Sequence, residues 1–429
     1  MVGSGVARAA GITRSPLVFL LAGALSCGSD EAGGPNAASG PIFGTPSPDL
    51  AVVPFPNGLT QATCTDDPTR DGVGRWKPIS LDGAPVRPGI TVWTGSEVVS
   101  ADVTQDYAGT IKAYDPVLDS WRDLSPADVS YLSRHDPFIG VVGGTLVFYG
   151  GFQECSGGCP SGITQYLNDG WTIDLASGVW TPMQPGPALV GLPPVAPHVF
   201  GAGSKALFIL SDDPDVTVAT YDLPSGAWQT IAGPADGDNG GGCERAAWNG
   251  QQAICQELLS DTLATVTPDP ATWTPFPTLV ALPPAWSVVE FTPVGDKYFA
   301  LAVPNLPPYD DESDYLFMVD PIAQTWSDLV PVPQAGVDRR VPALFATIGG
   351  RVVIWGGAFS MAATPDIPGE LRNDGIVLDP STNTWSPVTC VGAPLAPGGF
   401  ASVVATGSGF IVFENDIHNG LRGSAILEL

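Results

Sequence analysis

Cysteine side chains have only a few possible chemical roles in a protein, and the sequence helps to choose among them. A thiol pairs with a second thiol, binds a metal ion or accepts a lipid, and its spacing from other cysteines and histidines distinguishes these outcomes. No CxxC pair and no histidine cluster is present, so the spacing favours disulfides over a metal site. The seven cysteines are Cys27, Cys64, Cys155, Cys159, Cys243, Cys255 and Cys390.

The first cysteine follows a segment that is typical of export. An apolar run at 17–25 comes after a weakly basic start and is too short to span a bilayer. The residues Ala24-Leu25-Ser26-Cys27 resemble the lipobox of bacterial lipoproteins. We therefore expect residues 1–27 to be a signal peptide and Cys27 to carry acyl chains. By resemblance to enterobacterial sorting, Gly28 favours the outer membrane. Cleavage at an ordinary A-x-A site, which would give a secreted protein, is the alternative.

The composition limits both the fold and the partners. A formal net charge of −27 repels phosphate and disfavours a nucleic-acid partner. The 44% of hydrophobic residues are enough for a sizeable core, while 52 Gly and 44 Pro leave little room for long helices and favour many short strands. Residues 28–50 are rich in Gly, Ser, Pro and Ala, which predicts a flexible tether ahead of the folded domain.

A tryptophan recurs along the chain at a mean interval of about 51 residues. Five of its seven occurrences have an Asp six residues earlier, which opens a tight turn before the strand that carries the Trp. Large aromatic side chains at one position of every repeat are expected to pack each repeat on the next rather than to bind a ligand. The seven are Trp76, Trp121, Trp180, Trp228, Trp273, Trp326 and Trp385.

Two of the apolar runs upstream of these turns end in a glycine pair, Gly150-Gly151 and Gly356-Gly357. Together with the Tyr-Asp turn and the Trp, these runs resemble kelch repeats across residues 74–429. The resemblance implies an all-β fold, a seven-bladed β-propeller of four-stranded antiparallel blades. The chain then divides into the signal peptide, the tether and a propeller over 51–429.

The number of repeats leaves one blade to be built from both ends of the chain. Six complete units end at the Trp residues from Trp121 to Trp385, three strands follow Trp385, and the strand at Trp76 has no repeat before it. Pairing residues 74–80 with the C-terminal strand at 424–429 removes the open edge and completes blade seven.

The remaining six cysteines can pair once Cys27 carries lipid. Cys64 and Cys390 both lie near the predicted seam, where a bridge would fasten the ring. Cys243 and Cys255 flank a predicted hairpin. Cys155 and Cys159 share a loop in which a short bridge is sterically feasible.

Four arginines recur at or just before the predicted innermost strands of blades one, two, four and six. Kelch propellers often place an arginine there, so the resemblance implies a basic ring at the mouth of the central channel that binds an anionic group. The alternative is that each guanidinium pairs with an Asp or Glu of a neighbouring blade. The long loops 152–170, 304–314 and 358–374 share this face, and we expect them to carry specificity. The four are Arg87, Arg134, Arg245 and Arg340.

Enzyme signatures are absent from the sequence. The kelch resemblance raises galactose oxidase, whose copper site needs two His, two Tyr and a Tyr-linked Cys, whereas this chain has three His on separate predicted blades. No G-x-S-x-G, P-loop or H-E-x-x-H motif occurs. We assign no catalytic residue, no metal and no cofactor.

These observations predict an exported, lipid-anchored, monomeric kelch-type propeller that acts as a binding scaffold on a bacterial cell envelope. The expected ligand is a protein or glycan with an anionic group, and the lipid is the only expected attachment to a membrane. Two alternatives stay open. One is a cofactor-free sugar enzyme similar to sialic-acid mutarotase, which needs a carboxylate or His beside the channel arginines. The other is a purely structural envelope protein.

Overall fold

The computed structural model describes most of the chain after residue 63. The described residues are 64, 68–86, 89–102, 109–128, 132, 134, 137–154, 164–187, 198–209, 218–231, 243–257, 263–276, 286–304, 314–327, 329–333, 340–341, 344–359, 371–394, 402–416 and 420–429. The predicted signal peptide, Cys27 and the tether lie outside them. In this part of the chain we find no helix with the length and apolar content that a bilayer crossing requires.

The described residues form short β-strands throughout, as the density of Gly and Pro predicts. In chain order these are β1 (Arg75–Pro78), β2 (Ile90–Trp93), β3 (Val98–Asp102), β4 (Thr110–Asp115), β5 (Ser120–Asp123), β6 (Phe138–Val142), β7 (Thr145–Tyr149), β8 (Phe152–Glu154), β9 (Thr164–Tyr166), β10 (Gly170–Asp174), β11 (Trp180–Pro182), β12 (His198–Ala202), β13 (Lys205–Ile209), β14 (Val218–Asp222), β15 (Ala227–Ile231), β16 (Cys243–Trp248), β17 (Ala253–Glu257), β18 (Leu263–Pro268), β19 (Ala271–Phe276), β20 (Trp286–Val294), β21 (Lys297–Pro304), β22 (Tyr315–Asp320), β23 (Thr325–Trp326), β24 (Val330–Pro331), β25 (Arg340–Val341), β26 (Leu344–Ile348), β27 (Arg351–Phe359), β28 (Leu371–Asp379), β29 (Thr384–Pro387), β30 (Ser402–Ala405), β31 (Gly409–Asp416) and β32 (Gly420–Glu428).

Seven antiparallel sheets form the blades of a propeller, which confirms the predicted fold class. From the innermost strand outward, blade 1 is β2-β3-β4-β5, blade 2 is β6-β7-β10-β11, blade 3 is β12-β13-β14-β15 and blade 4 is β16-β17-β18-β19. Blade 5 is β20-β21-β22-β23, with β24 also paired to β22, and blade 6 is β27-β28-β29 with β25 and β26 both paired to the inner edge of β27. The hairpin β8-β9 projects from blade 2 as a separate two-stranded sheet.

The seventh blade is built from the two ends of the domain, as predicted. Strand β1 pairs with β32 in the order β1-β32-β31-β30, with Arg75 opposite Glu428 and Pro78 opposite Ala425. Lys77 and Glu428 form an ion pair across this seam. The seam removes the open edge that a ring of blades would otherwise present.

The hydrophobic core is divided into seven clusters, each lying between two adjacent blades. Side chains of one strand alternate between its two faces, so neighbouring residues of a strand belong to different clusters. Val98 packs with blade 7 residues such as Phe413, whereas Val99 packs with blade 2 residues such as Phe148. The core therefore holds blades to one another rather than to a common centre.

The repeated tryptophans lie on the outer strands, and four of them donate a hydrogen bond to the preceding blade. The indole Nε1 of Trp121 donates to Ser80 O at 2.8 Å, and that of Trp180 donates to Leu124 O at 2.8 Å. Trp228 and Trp76 make the equivalent bonds to Gln184 O and Thr389 O. The indole nitrogens of Trp273 and Trp326 make no hydrogen bond to a residue that the structure describes, but both rings pack between adjacent blades, which is the role predicted for the Trp repeat.

In five blades the tight turn before the Trp is capped by an Asp side chain. Asp115 Oδ1 accepts hydrogen bonds from the backbone N–H of Val117 and Leu118, at 2.8 and 3.0 Å, and Asp320 does the same for its own turn. The turn before Trp273 departs from this pattern, since β18 and β19 are joined by only two residues, 269–270.

We expect removal of the seam strand to open blade 7. A mature chain that lacks residues 28–80 would leave β32 with an unpaired edge and would lose Trp76, which is buried against Phe410 and Trp355. Loss of a buried Trp costs about 3–5 kcal/mol, and the exposed edge favours association. Thermal unfolding and light scattering measure both effects. A chain lacking residues 28–72, which also loses Cys64 and its bridge to Cys390, is the matched control, and a monomer with an unchanged transition after the longer deletion would contradict the seam.

Candidate binding face of the propeller

The two ends of the propeller are built from different kinds of connection. At one end, here called the turn face, the first and second strands of each blade are joined by two to four residues, at 94–97, 143–144, 203–204, 249–252, 295–296, 349–350 and 406–408. At the other end, here called the loop face, the second and third strands are joined by connections that reach twenty residues at 150–169. The loop face therefore carries the sequence that differs most from blade to blade.

Arg134 lies before β6 at the loop face and is nearly inaccessible, with 3% of its surface exposed. Its Nη1 donates to Gly150 O at 2.8 Å and to Asp169 Oδ1 at 3.1 Å. The guanidinium also stacks over the rings of Phe148 and Trp171, with 5.2 and 4.9 Å to their centroids. Burial lowers the pKa of the Arg134 guanidinium, and the Asp169 carboxylate opposes that shift.

These contacts give Arg134 a structural task inside blade 2. It holds the glycine-pair end of β7 against the start of β10, because Gly150 follows β7 and Asp169 precedes β10. Both partners belong to the arginine's own blade. The alternative prediction, in which each arginine pairs with an Asp or Glu of a neighbouring blade, is therefore not met by Arg134.

Arg245 lies in β16 at an irregularity of the strand, where the register shifts between Cys243 and Arg245. The neighbouring innermost strand, β20, has a second bulge that leaves Val289 without a partner residue in β21. The Arg245 guanidinium donates a hydrogen bond to the Val289 carbonyl. Arg245 thus joins blade 4 to blade 5 at a backbone position that the bulge exposes.

Glu290, next to that bulge, is a functional candidate that the sequence reasoning missed. Burial raises the pKa of the Glu290 carboxyl above its usual range, and the Arg245 guanidinium only partly offsets the effect. A carboxyl that retains its proton at higher pH can act as a proton donor. The only signal in the sequence is one charged residue inside the apolar run Trp286–Val294.

For the other two predicted arginines, the structure gives the backbone position of Arg340 and does not describe Arg87. Arg340 begins β25, where its backbone pairs with Phe359 of β27. Arg87 lies outside the described residues, three positions before β2 begins at Ile90. The described guanidinium groups, those of Arg134 and Arg245, belong to blades 2 and 4 and contact different partners, so a basic ring of four arginines stays a prediction.

Two of the predicted cysteine pairs are joined in the structure. Cys64 bridges to Cys390, which follows the outer strand of blade 6, with Cα atoms 5.0 Å apart. Cys243 bridges to Cys255 across the β16-β17 hairpin, with Cα atoms 5.7 Å apart. Cys155 and Cys159 lie outside the described residues. Within the described ranges no three His, Cys, Asp or Glu side chains are grouped closely enough to hold a metal ion.

The fold and the repeated contacts define a seven-bladed β-propeller whose blades are coupled through outer-strand tryptophans. Residues 339–392 match the sequence model of the kelch motif. This segment runs from β25 to β29 and so coincides with blade 6, including its glycine pair and Trp385. The motif match and the seven blades together support a kelch-repeat propeller. A comparison of the chain with curated proteins found no match.

The raised pKa of Glu290 predicts the pH dependence of folding. Because the folded protein favours the neutral carboxyl, this group contributes stability at low pH and loses that contribution as pH rises above its unfolded pKa of about 4.3. The Glu290→Gln variant should therefore gain stability relative to the parent between about pH 4 and neutral pH.

Denaturant unfolding at several pH values measures this difference. Glu428→Gln removes a more exposed carboxylate, paired with Lys77 on the outer seam, and is the matched control for the loss of one charge. Parallel stability curves for Glu290→Gln and the parent would show that Glu290 is not destabilised by burial.

Proposed function

We propose that this protein is a binding scaffold whose loop face holds a protein or glycan with an anionic group, and that acyl chains on Cys27 anchor it to the outer membrane of a bacterial cell. The observation that carries the binding role is the difference between the two faces. Short turns close every blade at the turn face, whereas the loop face receives the long and variable connections. Variable loops on a rigid frame are the usual place for recognition.

The frame is suited to this task because it is stiff. Adjacent blades share a buried cluster, and several are also joined by the indole hydrogen bond to the preceding blade. A rigid frame holds its loops in place before the ligand arrives, so less conformational entropy is lost on binding.

The charge distribution explains why arginines are the proposed contacts. A net charge of −27 disfavours an anionic ligand over most of the surface, so recognition needs locally placed cations. Arg134 and Arg245 have protein partners and position the backbone of the loop face. Arg87 and Arg340, at the corresponding places in blades 1 and 6, are the candidates for direct contact with the ligand.

Glycan and peptide arrays probed with the mature domain test the binding role. A charge-assisted hydrogen bond contributes about 1.5–3 kcal/mol, so Arg87→Ala together with Arg340→Ala should weaken binding at least tenfold. The double variant Lys77→Ala and Lys112→Ala is the matched control. It also removes two positive charges, but these lysines are paired with Glu428 and Asp123 on the blades.

Arg134→Ala is unsuitable for this test, since it leaves Asp169 and the Gly150 carbonyl without their partner. Equal affinities for the arginine pair variant and the parent would remove the proposed contacts. Absence of binding on both arrays would favour the structural envelope protein.

The anchor is tested separately by Cys27→Ser. Each buried CH₂ of an acyl chain contributes about 0.8 kcal/mol, so the parent should enter the detergent-rich phase and the variant should stay in the aqueous phase. Mass spectrometry of the mature N-terminus identifies the cleavage site. Equal partitioning of the two proteins would exclude the anchor and leave the secreted form.

A cofactor-free sugar enzyme is the second candidate, and one observation favours it. Glu290 is a carboxyl with a raised pKa beside Arg245, one of the arginines predicted to lie at the channel. Such a pair supplies a proton donor and a fixed positive charge to a bound sugar acid. Each glycan that binds should be tested for turnover. Turnover by the parent that is lost in Glu290→Gln, while the variant still binds the glycan, would support catalysis over simple binding.

A further inference from the structure

A cleft of about 440 Å³ opens on the turn face, where blades 3, 4 and 5 meet. Its walls come from the β12-β13 turn of blade 3, two turns of blade 4, and Ile322 of blade 5. The cleft lies at the opposite end of the propeller from the loop face. Its volume falls in the range of small-ligand sites, about 300–1,000 Å³.

The wall from blade 3 is formed by small residues. Ala202 and Gly203 end β12 and begin its turn, and a Cβ added at Gly203 would have no atom within 4 Å. The space beside this turn is therefore open to the atoms of a ligand.

Blade 4 contributes an aromatic ring to the cleft, and this ring is packed against a second aromatic side chain. Trp248, the last residue of β16, is partly buried and borders the cleft. Its ring is stacked on that of Phe200, with centroids 6.2 Å apart and an interplanar angle of 17°. Phe200 is stacked in turn on His198, at 6.0 Å and 7°. This stack between blades 3 and 4 holds the indole in one orientation before any ligand binds.

The rim of the cleft is polar but electrically balanced. The exposed side chains of Gln251 and Asp269 border it, as does Thr267. The Asp269 carboxylate lies 3.3 Å from Lys205 Nζ, which offsets its charge locally. A carboxylate has about four acceptor positions, so one ion pair leaves Asp269 able to accept further hydrogen bonds.

The chemistry of these walls selects among ligand classes. A wholly apolar ligand would cover Gln251 and Asp269 without replacing their hydrogen bonds to water, which is costly. A simple ion would gain little from a charge that is already balanced. A pyranose ring combines an apolar C–H face with a rim of hydroxyl groups and matches both the indole and the polar rim.

We propose that this cleft binds a neutral carbohydrate, with the sugar ring against Trp248 and its hydroxyl groups hydrogen-bonded to Gln251 and Asp269. The site is separate from the loop face and does not depend on the proposed function. The open shape of a cleft between turns suits one or two sugar residues at the end of a longer chain.

Ligand-observed NMR and calorimetry with D-glucose, D-galactose, D-mannose and N-acetyl-D-glucosamine test the proposal. At least one sugar should bind the parent with a millimolar Kd, which corresponds to about 4 kcal/mol. Gln251→Ala and Asp269→Ala should each weaken that binding about tenfold, the value of one or two hydrogen bonds. Gln251 is an exposed turn residue, so its truncation leaves folding intact.

Trp248→Phe tests the aromatic wall and has a matched control. Trp93 ends the innermost strand of blade 1 at the position that Trp248 occupies in blade 4, so Trp93→Phe makes the same change away from the cleft. Binding should weaken in Trp248→Phe only. Failure of all four sugars to bind, or unchanged binding in both Gln251→Ala and Trp248→Phe, would overturn the proposal.

Discussion

The packing of each blade against its two neighbours is the interaction on which the rest of this propeller depends. A single four-stranded sheet cannot cover both of its apolar faces, so each blade is stable only against its neighbours. The indoles of Trp121 and Trp180 add directional hydrogen bonds to Ser80 O and Leu124 O, which reinforce this packing. The same bond from Trp76 to Thr389 O joins blade 7 to blade 6, whereas the buried indole nitrogens of Trp273 and Trp326 have no hydrogen-bond partner among the described residues.

Sequence predicts the blades well because their signals are local. Asp115 caps its own turn and Trp121 follows six residues later, so a few consecutive residues specify the outer hairpin of a blade. The seam was predictable by counting alone, since one Trp strand had no repeat before it and three strands had no Trp after them. Closure then left a single way to pair them.

The candidate sites could not be predicted in the same way, because they depend on contacts between distant segments. Arg245 finds its partner at Val289 only because two strands of neighbouring blades carry bulges, and a bulge shows no clear pattern in the residues. Arg134 has the sequence position of a channel arginine, yet its guanidinium lies over the rings of Phe148 and Trp171 and is nearly inaccessible. A shared position in a repeat therefore predicts where a backbone lies and does not predict what the side chain contacts.

Loop length can change at one face without altering the other, because the buried clusters of adjacent blades lie between them. The loop face changes through insertions between second and third strands, and these leave the short turns of the opposite face untouched. The cleft beside Trp248 is lined by short turns of blades 3 and 4 and by a ring that is stacked on Phe200. A ligand at either proposed site can change affinity at the other only through a movement of the blades between them. With both proposals correct and the blades unmoved, the propeller would hold two different ligands at once, one at each end of the ring.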